Sequence, residues 1–164
     1  MFDDTLIATA RDIAERLIAR KETVAVSESS SGGLISAVLL AVPGASAYYL
    51  GGAVVYTRQA RRGLLQVADE WLTGIRSSSE PYAGLKARTI RTRLGSTWGL
   101  AETGAAGPSG NRYGDKSGHS CLAVDGPVVK VITLETGSDS RIGNMRAFAQ
   151  AGLELFRDAL KAAG

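Results

Sequence analysis

Thr23 to Gly33 reads TVAVSESSSGG, and this run restricts the fold more than any other stretch of the chain. Thr23, Val24 and Val26 favour extended backbone, while Gly32 and Gly33 permit a sharp turn into the apolar stretch Leu34 to Ala41, whose length suits a helix. A strand that turns at once into a helix is the repeating unit of a layered α/β domain. Ser29, Ser30 and Ser31 then lie at a helix N-terminus. Its unpaired N–H groups and positive dipole end can cap a serine, bind an anion or stabilise a nascent oxyanion. The plainer alternative is that Ser30 or Ser31 is only an N-cap.

The rest of the chain repeats the alternation. Leu6, Ile7, Ala10, Ile13, Ala14, Leu17 and Ile18 recur at helical spacing, with Asp3 or Asp4 as the cap. Val42 to Gly44 stops the second helix, and Ser46 to Tyr56 is β-branched and aromatic, which predicts a buried strand with a bulge or close approach at Gly51 and Gly52. A basic helix is expected over Thr57 to Val67, with Ala60, Leu64 and Val67 on one side. Its Arg58, Arg61 and Arg62 stand near an N-terminus, where cations oppose the dipole, so a bound anion would reward them. Ser79 is placed to cap a helix ended by Gly95, with Lys86, Arg88, Arg91 and Arg93 as surface charge. Thr97 to Ala101 reads as a short strand entering the glycine-rich turn Glu102 to Gly110. Two further strands, His119 to Asp125 and Val128 to Leu134, suit a hairpin. A last helix covers about Asp139 to Ala162.

This order predicts a single-domain α/β fold: three layers, α/β/α, around a mixed, mostly parallel sheet. Ligands of such sheets sit beyond strand ends, where the turns at Ser27 to Gly33 and Thr103 to Gly110 could converge. The second turn is neither a dinucleotide fingerprint nor a P-loop.

The 164 residues carry a net charge of +3, with arginines dispersed along the chain. That favours a small anionic ligand over nucleic acid, for which neither a reading helix nor an aromatic-basic platform is visible. Cys121, the one cysteine, excludes an intramolecular disulfide and offers no zinc cluster, so no metal is expected and the default location is cytoplasmic. No apolar run has membrane-spanning length, and no membrane partner is expected.

Several motifs in the same order resemble one family. Glu28-Ser29-Ser30-Ser31-Gly32-Gly33-Leu34 is similar to ESCTGGL. Pro43 to Tyr48 with Gly51-Gly52 is similar to PGSSAYFLGG, Tyr56 to Arg61 to YSNxAK, and Thr103 to Pro108 to TGIAGP. These motifs resemble the C-terminal domain of the competence/damage-inducible protein CinA, over nearly the whole of residues 1–164. The resemblance implies a three-layer fold and hydrolysis of the amide of nicotinamide mononucleotide to the carboxylate and ammonia. It also implies no cofactor, a small-molecule nucleotide substrate and a homo-oligomer. It places the nucleophile on Ser29, a site tyrosine on Tyr56 and the third catalytic position on Arg61. Substrate contacts fall on Glu28, Ser30, Ser31, Gly32, Thr103, Gly104 and Arg141, the last holding the phosphate.

One departure concerns chemistry. Arg61 stands where the family has the lysine of a Ser-Lys pair, and a guanidinium, unlike an amine, does not give up its proton near neutrality. Loss of a general base costs on the order of a hundred- to ten-thousand-fold in rate. Glu28 and His119 are the candidate substitutes. The alternative is a binding protein that keeps the nucleotide site without the reaction. Milder departures are Ser30 for cysteine and Ser31 for threonine, whereas Met145, where a second arginine often lies, with Arg146 one position on, takes away part of the substrate grip that the resemblance implies.

Overall fold

The computed structural model describes residues 2–164. Helix α1 (Asp4–Arg20) begins where the Asp3 carboxylate accepts from the Leu6 N–H at 2.9 Å. It is followed by strand β1 (Val24–Glu28), helix α2 (Leu34–Leu40) and strand β2 (Tyr49–Val54). A short helical turn, α3 (Arg58–Ala60), runs into five residues of wider π-type coil at Arg61–Leu65. Helix α4 (Glu80–Leu94) is capped by the Ser79 hydroxyl and closed by Gly95 in the left-handed conformation. Strands β3 (Trp98–Ala105), β4 (His119–Asp125) and β5 (Lys130–Glu135) precede the long helix α5 (Arg141–Ala162).

The sheet order is β2-β1-β3-β4-β5. β1 pairs in parallel with β2 and β3, while β4 is antiparallel to both β3 and β5. Four strands therefore run one way and β4 alone runs against them. Helices α1, α2 and α5 pack together over one face, and α4 covers the other. Strand alternation explains the division. Val24, Val26, Leu100, Leu122 and Val124 enter the core under the three helices, whereas Ala101, Cys121 and Ala123 meet Ala83 and Ala87 of α4. The second set is small, so α4 approaches closely: a Cβ on Gly99 would lie 2.0 Å from the Ala87 carbonyl oxygen.

Three expectations are corrected. The stretch 46–56 is not a buried strand: Ala45–Ala47 forms a 3-10 turn, and β2 lies at the sheet's edge, where its side chains alternate between half-buried and exposed. No regular helix spans 57–67. Leu65 and Val67 are buried there while Leu64 is exposed, because the wider coil shifts the helical stripe. β3 runs on through Ala105, so Glu102 to Ala105 belongs to the sheet and not to the turn. Among the described residues, no helix is long and apolar enough to cross a membrane.

Candidate active site

The turns leaving β1 and β3 meet beyond the ends of these parallel strands, and a carboxylate joins them. Glu102 is fully buried. Its oxygens accept from the Ser29 and Ser31 N–H groups, each at 2.9 Å, and from the hydroxyls of Ser30 at 2.5 Å, Ser31 at 2.9 Å and Ser120 at 3.1 Å. Glu28, equally buried, accepts from the N–H groups of Gly33, Ile35 and Ser36 and from the Ser36 hydroxyl, and lies 2.7 Å from the Ser31 hydroxyl, whose single proton it shares with Glu102. This carboxylate neutralises the positive end of α2, and no serine caps the helix; its N-cap is Gly33 at φ +95°. Both buried side chains thus have their oxygens satisfied by backbone N–H groups and serine hydroxyls of the turn.

The backbone donors that could hold an external anion or an oxyanion at Ser29 and Ser31 are thus already engaged. Both Glu28 oxygens likewise already accept hydrogen bonds within the turn. Met145 closes the far side of the turn, close enough that a Cβ on Gly32 would lie 2.7 Å from its terminal methyl.

Lys86, expected on the surface, is 1 % exposed. It reaches from α4 through the small-residue face of the sheet and donates to the Glu102 carbonyl at 2.7 Å and the Glu28 carbonyl at 3.3 Å. Burial lowers its pKa from the usual lysine value to about 8, against the opposing pull of Glu102 and Glu28. Its ammonium ties the ends of β1 and β3 together directly beneath the serine turn. Neither Lys86 nor Glu102 was marked as a site residue by the sequence. The available signal was periodicity: Lys86 lies on the inner stripe with Ala83 and Ile90, and Glu102 keeps the alternation of Trp98 and Leu100.

Ser29 lines a cavity of about 520 Å³. Its wall includes Tyr56, Thr57, Arg58 and Arg61 from the segment after β2, Ser77 and Ser78 from the turn before α4, Tyr82 from its first turn, Thr103 and Gly104 from β3, and Asn111, Arg112 and Tyr113 from the loop beyond. Ser29, Tyr56, Arg61, Thr103 and Gly104 are therefore brought together as expected. Ser30 and Ser31 turn instead toward the buried carboxylates. Arg141 opens α5, donates to the Gly107 carbonyl at 2.6 Å and to the Tyr56 hydroxyl at 3.0 Å, and stands exposed beside the cavity.

Arg61 is 6 % exposed. Its terminal nitrogen donates to Asp69, a carboxylate shared with Arg62 and, at 4.0 Å, with Arg58. The Arg62 hydrogen bond, ahead of the other charges, holds Asp69 below the ordinary carboxylate pKa. The Arg61 Nε–H is buried and has no partner among the described residues. A buried donor left so costs about 1–3 kcal/mol. Burial raises the pKa of Tyr82, while neighbouring Arg61 and Ser77 pull it down.

His119 does not reach the cavity. Its ring lies between Glu135 at Nδ1 and the Ser78 carbonyl, 2.9 Å from Nε2, with Asp115 3.7 Å away. Ser78 is held from both sides, since its N–H also donates to the Thr103 hydroxyl at 3.3 Å. His119 thus fixes the cavity wall and is not positioned as a base.

The pattern defining the CinA C-terminal domain matches residues 7–160. A CinA-like protein of Desulfosudis oleivorans is 35% identical over 158 residues, which are 96% of this chain and 38% of that protein. The competence/damage inducible protein CihA of Agrobacterium tumefaciens has a solved structure with 29% identity and a TM-score of 0.90 over 98% of each chain. A CinA-superfamily protein of Klebsiella pneumoniae 700603 has a TM-score of 0.89 at 24% identity, covering 96% of this chain and 98% of that one, and shares the fold. The chain spans well under half the length of the curated relatives it matches. With the motifs, the sheet order and nearly its whole length in agreement, the chain belongs to the CinA C-terminal domain family.

Proposed function

We propose that this domain is an amidohydrolase converting nicotinamide mononucleotide and water to nicotinate mononucleotide and ammonia, with Ser29 as nucleophile. The observation that carries the reading is the position of Ser29 in a cavity with Tyr56, Thr103 and a group of arginines, of a volume suited to a mononucleotide. The Ser29 oxygen attacks the carboxamide carbon, ammonia departs with a proton, and water cleaves the resulting ester to the carboxylate. Arg141 beside Tyr56 holds the phosphate, since a guanidinium offers several donors at fixed charge. The reaction is slow, because Arg61 cannot take the serine proton and the buried carboxylates already hold the local donors. Ammonia release from nicotinamide mononucleotide, lost in Ser29→Ala, tests this.

A specific observation favours a second reading, a pyridine-nucleotide-binding protein without turnover. The Ser29 and Ser31 N–H groups, on which a tetrahedral oxyanion would depend, are directed at Glu102. Nucleotide binding without any ammonia release would support it. In either case a homo-oligomer is expected. Light scattering that gives the monomer mass would reject that expectation.

A further inference from the structure

We propose that Arg61 forms an oxoanion subsite in the Ser29 cavity, so that the cavity takes a pyridine mononucleotide bearing a ring carboxylate in preference to one bearing a carboxamide. The identity of the ring rests on the pyridine-nucleotide reading above; the charge preference does not.

The cavity wall holds Arg58, Arg61 and Arg112, and no aspartate or glutamate is among the described residues that line it. Asp69 is the carboxylate near Arg58 and Arg61, and it is shared with Arg62, so three guanidinium groups divide one negative charge. Arg61 is buried, and its Nε–H is unmatched. A guanidinium keeps its proton at any pH the fold survives, so this positive charge is permanent. A bound oxoanion supplies acceptors to the part of the Arg61 guanidinium that lines the cavity and to the neighbouring arginines, and offsets their mutual repulsion. A carboxamide brings one acceptor and two donors to the same wall, and its NH2 group finds no anionic partner there. At this position an arginine gives up a possible base and gains affinity for the deamidated ligand.

The test is calorimetry of the full chain carrying Ser29→Ala, so that hydrolysis does not intervene, titrated with nicotinate mononucleotide and with nicotinamide mononucleotide. The acid is expected to bind at least about tenfold more tightly, the scale of a charge-assisted hydrogen bond. Adding Arg61→Gln should bring the two ligands within about twofold, mainly by weakening the acid. Asp69→Asn keeps Arg61 in place while removing its competitor, and should widen the preference. Equal affinities, a preference for the amide, or an acid preference unchanged by both substitutions would overturn the subsite. Ammonia release by the unsubstituted protein is read separately. Its absence with the acid preference intact counts against hydrolysis alone, and its presence without the preference counts against the subsite alone.

Discussion

Lys86 Nζ donates to the main-chain carbonyl of Glu102 at 2.7 Å, so the cation under the serine turn acts on the backbone of the residue whose carboxylate organises that turn. The lysine and the acid belong to one buried electrostatic unit with Glu28.

Replacing Lys86 by Met should cost about 3–5 kcal/mol, the range for leaving a buried charge uncompensated. Combined with Glu102→Gln, which keeps an acceptor for the turn's N–H groups but removes the charge, the loss should be clearly less than the sum of the single changes. Urea unfolding of the four proteins measures the coupling. Additive losses would show that the two charges do not interact.

His119 predicts a pH dependence. Burial lowers its pKa, but the Glu135 hydrogen bond, the Ser78 carbonyl and Asp115 outweigh burial and leave it raised. Glu135 and Asp115 are the carboxylates facing the ring, with Cys121 Sγ 3.7 Å from Nε2. A raised histidine pKa means that the protonated ring is favoured in the folded state. Its contribution is complete below the unfolded value of about 6.5 and is lost as pH rises through the folded value. The stability difference between the wild type and His119→Gln should therefore shrink as pH increases from about 6. A difference that is constant or grows would contradict the assigned contacts.

Arg61→Lys places a titratable nitrogen in the cavity, but Asp69 favours the charged lysine. Arg61→Lys with Asp69→Asn removes that bias and leaves Arg58 and Arg62 to depress the lysine pKa. Ammonia release should rise by about tenfold or more in the double variant, a small part of what a positioned base contributes, and by less in Arg61→Lys alone. The gain should vanish with Ser29→Ala. An unchanged rate would move the search for the base outside this cluster.

Gly104→Ala should destabilise by about 1–3 kcal/mol, the usual cost of forcing extra volume into a packed site. The new methyl would meet the His119 carbonyl oxygen at 2.4 Å and the Ser120 Cα at 2.8 Å, both backbone atoms of β4. Because Gly104 also lines the cavity, nucleotide affinity should fall with stability. Thermal unfolding and calorimetry on the same sample check both.

The layers, the helix caps at Asp3 and Ser79, the β4–β5 hairpin and the meeting of the Ser29 and Thr103 strands were legible because each rests on periodicity or turn chemistry within a short window. The edge position of β2 was not, since burial of a strand depends on what lies beside it and not on its own β-branched content. Lys86 was misread for a related reason. A lone cation on an apolar stripe becomes interpretable only once the carbonyls it serves, one of them 58 residues away, are known. Ser30 and Ser31 stand where caps would, but two glutamates from different strands reach the same donors, and each brings two acceptor oxygens to them.

The filling of the serine turn by Glu102 and Glu28 separates two tasks that many anion sites combine. With the helix end neutralised from within, the arginines that line the cavity stand on the segments at 57–62 and 111–113, outside the sheet and largely at the surface. Those segments make none of the side-chain bonds that hold β1 to β3, so a change of residue there leaves them undisturbed. Substitution of a few wall residues can therefore change the charge lining the cavity while the turn beneath stays constant.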